Sequence, residues 1–244
     1  ILLVISHYKL IICCFCVLHM EASFLYMTIE SKEILKESIT EFIGNIYNKK
    51  INLSKQSISQ FKAKTLASAV RKCTQLQYLN LNITEFGAGE AKVLAGALEQ
   101  CTQLLELHLS FNNIGAEGAQ ALAGALSQCT QLTHLNLRYN DIGAEGAQAL
   151  AGALEQCTQL QHLELRNNNG AQGGAKLFKN GINAKGAQAL AGALSQCTQL
   201  NHLNLHGIRI CDEGAEALAD ALLQCTQLNH LNLSYNGIGN VGAQ

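Results

Sequence analysis

The chain of 244 residues contains no proline and no tryptophan, and aromatic residues make up only 5% of it. Apolar residues still account for 48%, so a core can form, but it must consist mainly of leucine, isoleucine and alanine. Charged residues are also few, at 14%, and the formal net charge is −1. The chain therefore has no strongly basic or acidic field of the kind that attracts nucleic acid or a charged membrane surface.

The sequence also lacks the motifs of common catalytic sites. Glycine-rich segments occur, yet none continues into the Gly-Lys-Ser/Thr sequence of a phosphate-binding loop. The Gly-x-Ser-x-Gly motif that carries a nucleophilic serine is absent as well. A group of Cys13, Cys14, Cys16 and His19 fits no common zinc spacing. We therefore expect a non-enzymatic protein without a cofactor or a metal.

What the chain does contain is an internal repeat. The tetrapeptide Cys-Thr-Gln-Leu recurs every 28 residues, except for one interval of 40 residues, and begins at Cys73, Cys101, Cys129, Cys157, Cys197 and Cys225. A fixed period of this length is typical of a solenoid, in which each repeat stacks on the next.

Each repeat contains two periodicities, which the repeat from Cys129 illustrates. Leu135 and Leu137 are two residues apart and so share one face of a strand. The next apolar residues follow the spacing of one helix face, namely Ala147, Leu150, Ala151 and Leu154. We expect parallel strands near residues 78–82, 106–110, 134–138, 162–166, 202–206 and 230–234, each of the first five followed by a helix that ends near the next cysteine. Because strands lie about 4.8 Å apart and packed helices roughly 8–10 Å, the stack should curve into a horseshoe with its strands on the concave face.

The segment from Leu132 to Ile142 follows the pattern LxxLxLxxNxI and precedes a helix rich in glycine and alanine. Together with the period, it resembles the ribonuclease-inhibitor-like class of leucine-rich repeats, and it is similar to the C-terminal repeats of NOD-like immune receptors and to Ran GTPase-activating proteins. The resemblance implies an α/β horseshoe solenoid that binds another protein on its concave face. As alternatives it implies a regulator of an enzyme, either an inhibitor or a GTPase activator, or the sensor segment of an immune receptor.

We divide the chain into three parts. Residues 1–27 form an apolar N-terminal segment, residues 28–48 should form a helical cap, and residues 49–244 hold the repeats. The degenerate first repeat covers residues 49–72, further repeats begin at residues 73, 101, 129, 157 and 197, and a truncated one begins at residue 225. The longer repeat contains additional residues, 169–180, which should bulge from the stack without disturbing it. Because Gln244 corresponds to the start of a helix in earlier repeats, we expect a fragment of a longer protein.

The compartment depends on residues 1–19, which have three possible origins. They can be translated sequence upstream of a start at Met20 or Met27, a signal peptide, or a structured or membrane-touching segment; their apolar run is too short to span a bilayer.

The six repeat cysteines should be buried free thiols, kept beyond disulfide reach by helix spacing. Free thiols favour a reducing compartment. We therefore expect a cytoplasmic protein, or a secreted one if residues 1–19 are a signal peptide, and no membrane contact of the repeats.

The candidate binding residues are the positions of the concave face that vary between repeats. Four of them form a histidine column, which is either a solvated polar ladder copied by duplication or a site for partner contact or pH sensing. Variation at the other positions reflects either free drift or a recognition surface, and Tyr and Arg are the residue types that dominate interface hot spots. The candidates are Tyr78, Glu106, His108, Phe111, His134, Asn136, Arg138, Tyr139, His162, Glu164, Arg166, His202, His206, His230 and Tyr235, with Phe111, Arg138, Tyr139, Arg166 and Tyr235 as anchors.

Overall fold

The computed structural model describes residues 49–58, 60–166 and 181–243. The segments assigned above to residues 1–27 and 28–48, and the additional residues 169–180, lie outside the described ranges. Within these ranges seven strands alternate with six helices. They are β1 (Lys50–Asn52), α1 (Gln60–Lys72), β2 (Tyr78–Asn80), α2 (Ala88–Leu98), β3 (Glu106–His108), α3 (Gly115–Leu126), β4 (His134–Asn136), α4 (Gly143–Leu154), β5 (His162–Glu164), α5 (Asn183–Leu194), β6 (His202–Asn204), α6 (Cys211–Leu222) and β7 (His230–Asn232).

The strands form one parallel sheet in the order of the chain. Every strand pairs with the next in the same register, so the middle leucine or isoleucine of each strand lies opposite its counterpart. The register is unchanged across the longer repeat, where His162 of β5 lies opposite His202 of β6. The additional residues of that repeat therefore leave the sheet pairing intact.

The predicted positions of the strands are confirmed, but their predicted length of five residues is wrong, because each strand has three residues. In the repeat from Cys129, parallel hydrogen bonds do continue past the strand, from Leu137 N–H to the Glu164 carbonyl oxygen (2.9 Å) and from Tyr139 N–H to that of Arg166 (3.0 Å). Tyr139, however, has a φ of 58°, in the left-handed region that turns the chain out of an extended course. The hydrophobic pattern carries no signal for this turn.

Helices cover one side of the sheet, and each helix from α2 to α6 ends three residues before the next repeat cysteine, as predicted. Helix α4 buries the expected stripe of Ala147, Leu150, Ala151 and Leu154. The middle strand residues face these helices and are fully buried, as Leu107 and Leu163 show. Alternation of strand and helix thus places one layer of aliphatic core in each repeat.

Buried asparagine amides connect neighbouring repeats. Asn140 donates from Nδ2 to the carbonyl oxygen of Leu109 in the preceding repeat (2.7 Å) and to that of Leu137 in its own repeat (3.0 Å). Asn112 and Asn236 make the equivalent pairs of bonds. In the repeat from Cys197 this position is Ile208, which is fully buried and whose side chain cannot donate such bonds.

Five repeat cysteines, Cys101, Cys129, Cys157, Cys197 and Cys225, are free thiols and are buried. The thiol of Cys129 lies 3.7 Å from the carbonyl oxygen of Cys101 in the preceding repeat, and so acts as a weak donor between repeats. Burial raises the pKa of Cys129 to about 11 and that of Cys157 to about 12, so these thiols stay protonated and act as small apolar groups with weak donors.

Close packing of the helices depends on one glycine in each helix from α3 to α6. A Cβ atom on Gly146 of α4 would lie 2.6 Å from Ile142 Cγ2, 3.0 Å from Ala119 Cβ and 3.2 Å from the Ala116 Cα of α3. Gly118, Gly186 and Gly214 have equivalent surroundings. By contrast, a Cβ atom on Gly152 of the same helix would meet nothing within 4 Å.

The two glycines of α4 should respond in opposite directions to alanine. Gly146→Ala forces α3 and α4 apart and should lower the free energy of unfolding by about 1–3 kcal/mol. Gly152→Ala, the matched control, restricts the unfolded chain without a clash and should raise it by about 0.5–1 kcal/mol. Urea denaturation measures both changes. Equal effects of the two substitutions would show that the packing of α3 against α4 does not require glycine at position 146.

At the C-terminal edge of the sheet, the core leucines are less covered. Leu231 of β7 is 43% exposed, whereas its counterpart Leu203 of β6 is fully buried. Leu228 and Leu233 are also only half-buried. Both edge strands pair on one side alone, but Ile51 of β1 is fully buried, and β7 is the one described strand that no described helix follows. The missing helix cover accounts for the exposure.

Amide hydrogen exchange should therefore be fastest, within the repeat array, in residues 225–243. Full exposure of a leucine forfeits on the order of 1.5–3 kcal/mol, and repeats contact only their neighbours, so the loss should stay local. Adding one consensus repeat after Gln244 should protect this segment. Uniform protection of the unmodified chain up to residue 243 would contradict the prediction.

Candidate interaction surface

The concave face, as we use the term, is the face of the sheet opposite the helices. In β2 to β6 the middle residue of each strand is buried under the helices, while the first and third residues point to the concave face. The common register stacks each set into a row that crosses the sheet. The first row consists of Lys50, Tyr78, Glu106, His134, His162, His202 and His230.

Four imidazole rings of the first row form a continuous stack. The ring centroids are 4.5 Å apart between His134 and His162, 4.9 Å between His162 and His202, and 4.1 Å between His202 and His230. The rings are nearly parallel, with interplanar angles of 8–14°. His162 and His202 each have a stacked ring on both faces, whereas His230, at the edge of the described sheet, is exposed. Each inner imidazole therefore presents only its edge to solvent or to a partner.

Neighbouring polar groups hold these rings in place. His202 Nε2 lies 2.9 Å from Glu164 Oε1, and His134 Nδ1 lies 2.9 Å from Thr133 Oγ1. One row away, His108 Nε2 lies 3.1 Å from Glu106 Oε2. Both candidate glutamates are thus engaged with histidines of the same face.

Two rings of the stack, His134 and His162, have a lowered pKa and therefore favour the neutral form. Burial lowers the pKa of His134, and the nearby His108 lowers it further, whereas Glu106 raises it. Burial also lowers the pKa of His162; His134 and His202 add to that effect, and Glu164 and Glu106 oppose it. Protons on neighbouring rings would repel one another at centroid distances of 4–5 Å.

A second group, the arginine–aromatic cluster, consists of Phe111, Arg138, Tyr139 and Arg166. The rings of Phe111 and Tyr139 stack with a centroid distance of 4.2 Å and an angle of 12°. The guanidinium carbon of Arg138 lies 5.1 Å from the Phe111 centroid, and that of Arg166 lies 5.5 Å from the Tyr139 centroid. Arg166 Nη2 also donates to the Tyr139 hydroxyl (3.0 Å). Residues of three consecutive repeats thus pack into one ordered surface feature.

His206 and Tyr235 extend this cluster toward the C-terminal edge. Their ring centroids are 4.9 Å apart, and His206 Nδ1 lies 2.7 Å from Ser234 Oγ. Burial, and secondarily the charge of Arg166, lower the pKa of His206. Tyr235 is 84% exposed, so it is the most accessible aromatic anchor of the predicted set.

The remaining candidates make local contacts. Asn136 Oδ1 accepts from the Arg138 N–H (3.3 Å) and so supports the turn after β4. The Tyr78 hydroxyl accepts from Asn80 Nδ2 (3.2 Å), and the Tyr78 ring tilts against His108 at 5.3 Å. These residues shape the N-terminal half of the concave face.

Sequence reasoning missed two residues of this surface. Lys50 of β1 lies opposite Tyr78, with its Nζ 5.7 Å from the ring centroid. Ile83 occupies the position of Phe111 and Tyr139 in the preceding repeat and is 47% exposed. The alignment of the degenerate first repeat could have found Lys50. Ile83 could have been found from its place ten residues after Cys73, since Phe111 and Tyr139 stand ten residues after Cys101 and Cys129.

A family model described as Leucine Rich repeat matches residues 100–123, 128–151 and 224–244. These three segments span the start of a repeat at Cys101, Cys129 and Cys225, and two of them continue into the helices α3 and α4. The chain contains leucine-rich repeats. No match to a curated protein was found.

Three solved structures are similar to this leucine-rich-repeat protein at low identity. A tropomodulin C-terminal domain of Caenorhabditis elegans is 14% identical over 59% of this chain and 83% of its own, with a TM-score of 0.44. An internalin of Listeria monocytogenes is 16% identical over 79% of this chain and 82% of its own, with a TM-score of 0.22. A leucine-rich-repeat protein of Leptospira interrogans is 14% identical over 78% of this chain and 62% of its own, with a TM-score of 0.24.

Two further findings concern only the described ranges. No helix there is long and apolar enough to cross a membrane. In the same residues, no three or more His, Cys, Asp or Glu side chains are grouped so that they could hold a metal ion. The histidine stack is compatible with this, since its members are separated by ring stacking and do not converge on a point.

The histidine stack should make stability depend on pH. Above about pH 6.5, the ordinary value for histidine, His134 and His162 are neutral in both states and contribute no pH dependence. As the pH falls below that value, the unfolded chain binds protons before the native chain does, because the native pKa values are lower. The free energy of unfolding should therefore decrease until the pH passes below the native pKa values.

Urea denaturation across this range measures the decrease in the wild type and in His134→Gln/His162→Gln. The double variant should lose less stability on acidification. His230→Gln, at the exposed edge of the stack, is the matched control and should behave much like the wild type. An identical pH dependence of all three proteins would show that the loss of stability on acidification does not come from His134 and His162.

Proposed function

We propose that this leucine-rich-repeat protein is a scaffold that binds another protein on its concave face. Leucine-rich-repeat folds commonly mediate protein–protein interaction and are typically non-enzymatic. The observation that carries the proposal is the arginine–aromatic cluster, in which two arginines and two aromatic rings are exposed or half-buried at the surface. Tyrosine and arginine are among the residues that contribute most to binding energy in protein interfaces.

Stacking prepares the cluster for binding. Arg138 and Arg166 already lie over the rings of Phe111 and Tyr139, so a partner does not need to immobilise long, flexible side chains. Ordering such side chains on binding costs about 0.5–1.5 kcal/mol each. The free chain therefore presents hot-spot residue types in a form that loses little entropy on association.

The size of the concave face also suits a protein partner. Seven paired strands at a spacing of about 4.8 Å give a surface roughly 29 Å across. The candidate residues extend from Tyr78 in β2 to Tyr235 beyond β7 and so cover most of that width. This extent fits a helix or an extended segment of another protein better than a small molecule.

We further infer that the repeats are of the ribonuclease-inhibitor-like class and that the chain is cytoplasmic. The class is supported by the period of 28 residues and by the full α-helix of 11 or 12 residues in each repeat from α2 to α6. Free, buried cysteines in five repeats support a reducing compartment. We also propose that the chain is divided into an apolar N-terminal segment (residues 1–27), a helical cap (residues 28–48) and the repeats (residues 49–244).

Paired variants test the binding face. Arg138→Ala/Tyr139→Ala should keep the fold and weaken a protein partner, with losses above about 1 kcal/mol, or about fivefold, marking hot spots. Gln148→Ala/Glu155→Ala, on the exposed side of the α4 segment, is the matched control. The immobilised chain is incubated with extract of its source cells, and captured proteins are quantified by mass spectrometry.

The expected result is a set of proteins retained by the wild type and the helix-side variant but depleted with the concave-face variant. Thermal unfolding of all three proteins checks that each is folded. Greater depletion with the helix-side variant would show that the partner binds the other face.

A further inference from the structure

The guanidinium groups of the arginine–aromatic cluster are short of acceptors. Arginine has five N–H donors, and stacking on a ring uses the face of the guanidinium, which leaves the donors along its edge available. The Nε atoms of Arg138 and Arg166 are both buried and have no hydrogen-bond partner. Because these Nε atoms are buried, a ligand has to reach the two guanidinium groups through their Nη donors, of which Arg166 Nη2 bonds to the Tyr139 hydroxyl.

No carboxylate of the described chain fills this role. Ion pairs there join Lys92 to Glu117, His108 to Glu106 and His202 to Glu164, and none involves either arginine. Glu164 lies only two residues before Arg166 on the same face, yet its Oε1 is bonded to His202 and lies 3.5 Å from Asn204 Nδ2. The carboxylate of Glu164 therefore bonds to the histidine stack through Oε1, its Oε2 has no hydrogen-bond partner, and no ion pair of the described residues joins it to Arg166.

The two arginines act on the same small area. They occupy the same position in consecutive repeats, on strands about 4.8 Å apart, and the Tyr139 N–H donates to the Arg166 carbonyl oxygen (3.0 Å). A single carboxylate can accept from two neighbouring guanidinium groups, and arginine–carboxylate bonds are among the stronger hydrogen bonds in proteins. Beside them, Phe111 is 43% exposed and offers an apolar surface.

We propose that the arginine–aromatic cluster recognises an acidic segment of the partner protein. An aspartate or glutamate of that segment accepts hydrogen bonds from Arg138 and Arg166, and an adjacent apolar side chain packs against Phe111 and Tyr139. This inference rests on the proposed function and adds the chemistry of the partner. His206 marks the C-terminal limit of the cluster. It lies near enough to Arg166 for the arginine charge, after burial, to lower its pKa.

The test uses the Nε–H groups of Arg138 and Arg166 as reporters of binding to the two guanidinium groups. The ¹H–¹⁵N signals of the arginine Nε–H groups are recorded while a blocked peptide of alternating glutamate and leucine is added to the full chain. The signals of Arg138 and Arg166 should shift and saturate. The same peptide with glutamine in place of glutamate should bind at least about tenfold more weakly, and added salt should weaken the binding of the glutamate peptide.

Charge-matched variants separate a specific site from general attraction. Arg138→Gln/Arg166→Gln should weaken the glutamate peptide at least about tenfold. Lys92→Gln/Lys185→Gln removes the same charge from exposed positions of the helix layer and should leave binding unchanged. Equal weakening by both double variants would overturn the proposal, because it would mean that net charge alone attracts the peptide.

Other outcomes also overturn it. Equal binding of the glutamate and glutamine peptides would show that the rings alone are recognised. If inorganic phosphate shifts the same Nε–H signals at lower concentration than the glutamate peptide does, the cluster prefers a phosphorylated ligand and the carboxylate proposal is wrong. No shift with any probe refutes it as well.

The capture experiment tests the proposed function separately from the acidic-segment proposal. If Tyr139→Ala loses the captured protein while Arg138→Gln/Arg166→Gln keeps it, the concave face binds protein but not through an acidic segment. If no concave-face variant affects capture, the proposed function itself fails.

Discussion

Parallel pairing of the strands in a single register is the constraint on which the rest of the structure depends. Because the same position of consecutive repeats must lie about 4.8 Å apart, every residue type that recurs in the sequence becomes a column in space. The imidazole rings stack at 4.1–4.9 Å for this reason. The stacked pair Phe111 and Tyr139 and the asparagine amides that bond from one repeat to the preceding one follow the same spacing.

The helix layer has to accommodate that spacing on the opposite side. Helices normally pack at 8–10 Å, so a stack of repeats must bring them as close together as the side chains allow. Glycine at positions such as Gly146, facing alanine in the preceding helix, removes the atoms that would keep α3 and α4 apart. The scarcity of bulky residues in these helices is therefore a requirement of this layer. Four aromatic residues, Tyr78, Phe111, Tyr139 and Tyr235, lie on the concave face, whereas Phe86 is fully buried.

On the concave face, stacking has different consequences for two kinds of side chain. Burial lowers the pKa of His134 and His162, and Glu164 bonds to His202. Arg138 and Arg166 lie over aromatic rings, and no ion pair of the described residues joins either of them to a carboxylate. The surface thus carries a histidine stack, two rings of which should respond to acidification, and an arginine–aromatic cluster that we propose to bind an acidic partner.

The sequence by itself determined the period, the alternation of strand and helix, the residues of the helix stripe and the membership of each column, because all of these follow from spacing along one chain. Only the tertiary structure decided where each strand ends, since the left-handed turn at Tyr139 leaves no trace in the hydrophobic pattern. It also decided the contact of the Cys129 thiol with the carbonyl oxygen of Cys101. The pairing of Glu164 with His202 in preference to Arg166 was equally out of reach. Which neighbour a side chain selects depends on distances between repeats, and those exist only once the stack has formed.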